Sequence, residues 1–599
     1  MTSLHKTLIL LFLFSALLPL YPFESEDLLP LDILNGDNIE HLYSEGEFQK
    51  YTLYINEASE EELIDFPLFT KKEALLILKW REGRHLSSER DLKVIGISDD
   101  VIFTSLPYLS FRKPLNYSIN QTLRYYYRGT ETIDSPKAYS KSELQIDNVQ
   151  AGFALLSNST SLTTGRLNYT YYLSQSYDKH LKQLTLGKYR LAIGQGLAYA
   201  PGSMFSKSSD PLQARSSYKK PVRLHTSPHK AQSLEGAAAI FSINNNEFIP
   251  FHSNTQLNAT ISDGKTSTIY PYTFPNDNRH NSLSERVDGM AWRYICRSNE
   301  IGAYFSYNRF GREFVDPNYS KKYTTLGSFY SLDFNLAKVF GEYAHIDNQP
   351  GFVGGISWGE RKFQQILIYR SYAEHLPTWH GNPFASKSKF NNEKGYYYGI
   401  KAQPHRLWSI NLFFDISRYP FPRYFELMPT TRTEQFLLLS HKRASDTFRL
   451  KFHHREYDKA ITYEGESTIF RVNKLTTTLD WTNQINRHFR NRCGIDYISS
   501  VTREIDEFKD GLLLYNNFIY RSKRLETITQ ISVYRLGLNH YTYEYTLDNW
   551  QETKSYNGND IYAYQIVKVK FTKLTLQAKV AHTFRKKSTN CFIQLLLDI

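Results

Sequence analysis

The sequence predicts a multidomain chain, a small all-α unit followed by a large antiparallel transmembrane β-barrel, and three observations carry that reading. Aromatic residues make up 15% of the 599 positions, 45 of them tyrosine. Apolar and polar residues alternate with period two through much of the long C-terminal part. Charge is split, with 8 Lys/Arg against 19 Asp/Glu in residues 24–111, and a net +22 left for residues 112–599. A soluble core holding so many rings would be more apolar overall. A membrane barrel combines a polar lumen, an apolar outer face and aromatic girdles at the two interfaces.

Residues 1–23 read as an export signal. His5 and Lys6 precede an apolar run from Leu8 to Leu20, too short to cross a bilayer as a helix. Processing is expected near Phe23 to Ser25, and residues 24–54 then form a periplasmic lead segment. No other long apolar run follows, so membrane insertion has to use strands. Cys296, Cys493 and Cys591 are far apart and signal neither a disulfide framework nor a metal site. No cofactor is expected.

The helical unit spans 55–111. Ser59-x-x-Glu62, Thr70-x-x-Glu73 and Ser88-x-x-Asp91 are capping-box patterns, and Ser98 precedes Asp99 and Asp100. Four short helices are expected, with Leu63, Phe66, Ala74, Leu75 and Leu78 turned inward and Gly83 ending the second. The run from Ile55-Asn56-Glu57-Ala58-Ser59 through Asp91-Leu92-x-x-Ile95-Gly96-Ile97 to Leu106-Pro107-Tyr108-Leu109 resembles the tandem helix-hairpin-helix domain of competence-type DNA-binding proteins. In that family a Gly-apolar-Gly turn brings backbone amides to a DNA phosphate. Here the first turn reads Pro67-Leu68-Phe69-Thr70 and the second Gly96-Ile97-Ser98, so most of the glycines are missing. The resemblance implies Lys71, Lys72, Gly96, Ile97 and Ser98 as the phosphate or DNA contacts. The unit carries 7 Lys/Arg against 11 Asp/Glu, the opposite of a basic footprint. A docking or barrel-plugging module that meets a periplasmic protein partner is the expectation.

Residues 112–599 give the barrel. Val567, Val569 and Phe571 alternate with Lys568 and Lys570, and Leu574, Leu576, Ala578 and Val580 alternate with Thr575, Gln577 and Lys579. One face is apolar, for lipid, and the other charged, for the lumen. Further hairpins flank Ser298-Asn299 and the turn Arg521 to Arg524. Gln121 to Arg128 and Arg166 to Leu173 are Tyr-rich strands, and the chain finishes on alternating Cys591, Ile593, Leu595, Leu597 and Ile599. Strands of ~9–11 residues give roughly 16–22 in a closed, even-numbered barrel. Leu186-Gly187-Lys188-Tyr189, Gly194-Gln195-Gly196-Leu197, Phe340-Gly341-Glu342-Tyr343 and Glu393-x-Gly395-Tyr396-x-Tyr398-Gly399 punctuate it. With the helical head, this arrangement resembles exported helix-hairpin-helix proteins with C-terminal barrel bodies of Bacteroidetes-like bacteria. The glycines themselves read as close backbone approaches and strand bends.

No nucleophile elbow, zincin pair or phosphate loop is present. Ser217 to Lys230, with Tyr218, Lys219, Lys220, His225, Ser227 and His229, reads as a polar loop, as does the basic group Arg487, His488, Arg490 and Arg492. The expected function is therefore a non-enzymatic channel or assembly component of the cell outer membrane, in contact with its lipid, with the head in the periplasm. A DNA-uptake or DNA-binding protein is the alternative, and a hydrolase housed in the barrel comes third. The body's positive charge either bridges lipid headgroups or, through Lys568, Lys570 and Lys579, lines the lumen.

Overall fold

The computed structural model describes residues 53–598 apart from short segments, the longest being 112–116, 130–136, 158–167, 201–206, 227–232, 271–278 and 423–427. The signal segment, most of the lead segment, the caps expected at Ser59 and Thr70, and the helix end expected at Gly83 lie outside the described residues.

Among the described residues, three helices form in the head: α1 (Lys71–Arg81), α2 (Glu89–Ile95) and α3 (Asp99–Ser105), with residues 62 and 63 also helical. The α2 start follows from its sequence. The Asp91 carboxylate accepts from the backbone N–H of Ser88 at 3.1 Å and of Ser87 at 2.6 Å, satisfying donors that a helix start leaves unpaired. These bonds hold its carboxyl below the usual aspartate range, since protonation would weaken them. Gly96 ends α2 at φ +98°, a left-handed cap, and Ser98 caps α3 by accepting from Val101 N–H at 3.4 Å. Leu53–Tyr54 and Leu109–Ser110 pair in parallel, drawing together the two ends of the unit. Leu63, Phe66, Ala74, Ile77 and Leu92 make its core. Leu75, expected inside, is exposed, because on a 3.6-residue period Ala74 and Ile77 take the inward positions.

The body closes as a ring of 24 antiparallel strands, from Tyr117–Gly129 to Ser588–Asp598, which pair with each other at the seam. Two short strands, Val222–Leu224 and Lys265–Tyr270, pair beside the ring. The count exceeds the expected 16–22 because many connections are only two residues long, leaving more chain for strands. Asp147, Asn244, Asp347 and Asn348 sit in such turns at positive φ, which short polar side chains tolerate. The turn expected at Ser298-Asn299 falls one residue earlier, with Arg297 at φ +54° and Cys296 opposite Asn299.

Closure leaves no unpaired edge toward lipid. The face alternation is as the sequence implied. Gln577 and Lys579 are buried while Leu576 is 44% exposed, and Leu326, Phe305 and Ile416 are likewise exposed on the outer surface. The two ends differ. At one, every connection is two to four residues, and both Tyr117 and Asp598 lie there. At the other are the long segments, including 192–221, 311–321, 373–392 and 420–429.

Candidate functional site

Two segments from the long-loop end fold into the lumen. In the first, Leu197, Tyr199 and Ala200 are buried, then Lys207 to Ser209, Pro211 and Ala214; in the second, Leu376, His380, Phe384, Ser386 and Phe390 are buried. They hold each other by backbone bonds, Asn382 N–H to Gly196 O at 2.8 Å and Ala200 N–H to His380 O at 2.9 Å. Gly381 sits at the crossing, where a Cβ would stand 2.1 Å from Leu197 O.

Inward-facing side chains of the wall fix both segments. Glu342 accepts from the backbone N–H of Gln195 at 2.5 Å and of Leu197 at 3.1 Å, and from the Tyr304 hydroxyl at 2.5 Å. Gly194, at φ +58°, lets the chain pass this carboxylate; a Cβ there would lie 2.7 Å from Glu342 Oε2. Tyr199 Oη meets Ser306 Oγ at 2.6 Å, and His380 Nε2 lies 3.0 Å from both Glu285 oxygens. At the long-loop end of their strands, Arg370 bonds Glu393 and reaches Asp415 at 2.7 and 3.0 Å, while Glu393 accepts from Ser386 N–H at 2.8 Å. Lys207 pairs with Asp415 at 2.7 Å and with Glu434, whose other oxygen meets His453 Nε2 at 2.6 Å. Below this, Lys401 meets Asp210 at 2.5 Å and Arg215 donates to Ser357 at 3.3 Å, both near the short-turn end. The first segment therefore runs nearly the depth of the lumen.

Charges buried this deeply persist only when paired and hydrogen-bonded. Each ion pair here joins a segment to the wall or braces a wall residue that does. The arrangement can therefore hold two loops in one position inside the pore and release them together if the pairing is broken.

Three of the four glycine-bearing motifs meet here; Leu186 to Tyr189 packs instead against Tyr171, Glu235 and His252. Gly194 to Leu197 is the held backbone, Glu342 the holder, and Glu393 opens the strand that braces Ser386 and Arg370. A Cβ at Gly399 would come 2.6 Å from Pro211 Cβ. The sequence marked these as close backbone approaches; it carried no signal for Arg370, Asp415, Glu434 or Lys207, whose partners named above lie 19 to 227 residues away.

The residues implied as phosphate contacts are differently placed. Lys72 is exposed on α1, and Lys71 begins that helix. Gly96 and Ser98 are the two caps between α2 and α3, and Ile97 is buried in the head core at 2% exposure. In the loop considered for hydrolysis, Tyr218 is buried with its carbonyl accepting from Arg293 at 3.2 Å. His225 is buried in a backbone pairing with Lys188, and Ser217, Lys219, Ser227 and His229 lie outside the described residues. The basic group read as one turn divides. Arg487 and His488 occupy the turn, whereas Arg490 and Arg492 are strand residues facing the lumen, and Arg492 donates to Asp480 at 2.5 Å.

The charge of the lumen wall is uneven. Among the described residues, the buried set holds nine Lys/Arg against eleven Asp/Glu, so the body's positive excess lies elsewhere. Lumen-facing positions within six residues of a short turn locate part of it. Across strands 246–411, where Glu285, Glu342, Arg370 and Glu393 hold the segments, these are Arg293, Lys338 and Lys401 against Glu247, Glu300, Asp333 and Glu342. Across strands 430–583 they are Lys442, Arg449, Lys451, Arg490, Arg492, Arg521, Lys568, Lys570 and Lys579, against only Asp480 and Glu526.

No protein-family model matches the sequence, and no curated protein is similar to it in sequence. Among solved structures, the siderophore receptor PirA from Pseudomonas aeruginosa is similar at 8% identity over 82% of each chain, with a TM-score of 0.40. The copper transporter OprC is similar at 8% identity over 82% of this chain and 81% of that one, with a TM-score of 0.41. OmpT of Vibrio cholerae, at 9% identity, covers 60% of this chain and 100% of its own, with a TM-score of 0.27. Likenesses this remote carry no argument about ligand or mechanism. What the chain's own geometry defines is a large β-barrel of the outer-membrane kind with a filled lumen.

Proposed function

We propose that this protein is a non-enzymatic outer-membrane channel or transporter, closed by two of its own loops and carrying a helical docking module on its periplasmic side. The observation that carries the reading is the filling of the lumen by segments anchored on Glu342, Arg370, Asp415 and Glu434. Barrels of 16–18 strands already leave an aqueous channel, and wider transporters hold a plugged lumen. An empty 24-strand ring would leak; a filled one with breakable anchors is a gate. Short turns face the periplasm in such barrels, and the head joins the ring at that end. That topology, with the helical caps and parallel pair of residues 53–111, supports a helix-hairpin-helix docking module there. With Ile97 packed in its own core and acidic residues prevailing, a protein surface suits it better than DNA.

Single cysteines at 560–569, introduced into the full chain with Cys296, Cys493 and Cys591 replaced by serine, labelled with a small fluorophore and reconstituted in liposomes, examine the barrel reading. Odd positions (Ile561, Ala563, Gln565, Val567, Val569) should contact lipid and be quenched by brominated acyl chains, and even positions should not. Equal quenching at both parities would sink the proposal.

A further inference from the structure

We infer that the lumen wall of strands 430–583 near the short-turn mouth is a binding surface for a soluble, multiply charged anion bearing phosphate groups. The inference rests on the barrel reading and names the class of solute that this part of the lumen receives.

Three observations carry it. Nine lumen-facing cations stand against two acids there; Lys579 is paired at 2.7 Å with Glu544 farther along the wall, which leaves eight against two, while the neighbouring arc is balanced, so the asymmetry belongs to this arc and not to the lumen in general. The acids are already committed. Asp480 is held by Arg449 at 3.0 Å and by Arg492 at 2.5 Å, and Glu526 by Arg521 at 2.9 Å. The mouth is also open to solvent on this side, with Lys442 and Lys570 exposed and Arg490 half-buried.

The turns of the same end add to the field. Among the described residues, connections between strands there carry seven Lys/Arg (Arg297, Lys362, Arg406, Arg487, Lys523, Arg524 and Lys573) against Asp147. A low-dielectric wall concentrates such a field and raises the local concentration of anions. Several of the lumen cations are arginines, whose planar fork matches phosphate oxygens two at a time. Because the positions face inward, the ligand is a solute and not a lipid headgroup, although both carry phosphate.

The test uses the full-length protein in neutral detergent, titrated with inorganic tripolyphosphate and followed by calorimetry. Wild type should bind, more weakly as salt rises. The triple variant Lys442→Gln, Arg490→Gln and Lys570→Gln should bind at least tenfold more weakly. A control at the other end, Lys265→Gln with Lys322→Gln, should stay within twofold of wild type. Adding phosphatidylglycerol to the micelles should leave the affinity unchanged; displacement by it would overturn the lumen placement. No binding by wild type, or equal loss in both variants, would overturn the inference. Heat-modifiable migration in gels reports that each variant has folded, so these results stand apart from a failure of the chain to form a barrel.

Discussion

The lumen wall has two arcs built by the same strand geometry and put to different uses. Strands 246–411 present acids and bases in near balance, and nearly every charge meets a partner on an inserted segment or a neighbouring strand. Strands 430–583 present bases in excess, with half-buried or exposed ends toward the mouth. A balanced wall can bury its charges and grip a peptide. An unbalanced one has to remain partly hydrated or take its counter-charge from solution.

If this contrast is correct, mutations should have opposite signatures in the two arcs. The largest effect is expected from Arg370→Met. It leaves Glu393 and Asp415 buried without the guanidinium that both contact, a loss of about 3–5 kcal/mol, readable as a lowered urea midpoint of the full chain. A cost below about 1 kcal/mol, the range of an exposed pair, would place Arg370 in a hydrated lumen. Next comes Gly381→Ala, whose added methyl meets Leu197 O. Overpacking there should cost about 1–3 kcal/mol and speed proteolysis within 192–200 ahead of any cleavage in the wall; unchanged proteolysis would mean that the crossing is loose. In the other arc, Lys442→Gln with Lys570→Gln should change stability by less than about 0.5 kcal/mol, as for exposed positions generally. A larger loss would show that those cations are structural.

The smallest effect concerns the head. Because the Asp91 carboxyl is held below its ordinary value, its capping bonds stabilise at neutral pH. That contribution is lost as pH falls through the usual aspartate value of about 3.9 and below. Asp91→Asn should therefore speed amide exchange over 87–95 in the full chain at pH 7, with the difference from wild type shrinking toward pH 3. A difference independent of pH would mean that the charge of Asp91 has no part in it.

What could be read from sequence followed from how local each signal is. The alternation around Val567, Lys568, Lys579 and Val580 gave both faces correctly, because strand parity needs no knowledge of neighbours. Ser88, Asp91 and Ser98 gave the starts of α2 and α3 for the same reason. Strand number was underestimated, since it depends on how many turns are as tight as Asp347-Asn348. The anchoring site was visible only as glycine-bearing motifs without a purpose. Glu342 looks like any strand carboxylate until the fold brings Gln195 and Leu197 to it from about 145 residues away. The basic arc was partly legible in Lys568, Lys570 and Lys579, whereas Arg490 and Arg492 looked like part of a turn until register put them on the lumen wall.

The account depends most on the two segments closing the barrel, and planar-bilayer conductance of wild type against Glu342→Ala tests this directly. Removing that carboxylate unpairs the backbone amides of Gln195 and Leu197 and the Tyr304 hydroxyl in a buried setting, which favours withdrawal of the segment. Wild type should be closed or nearly so, and Glu342→Ala should conduct at least tenfold more. Equal conductance, whether both are open or both closed, would contradict the claim that these anchors hold the gate.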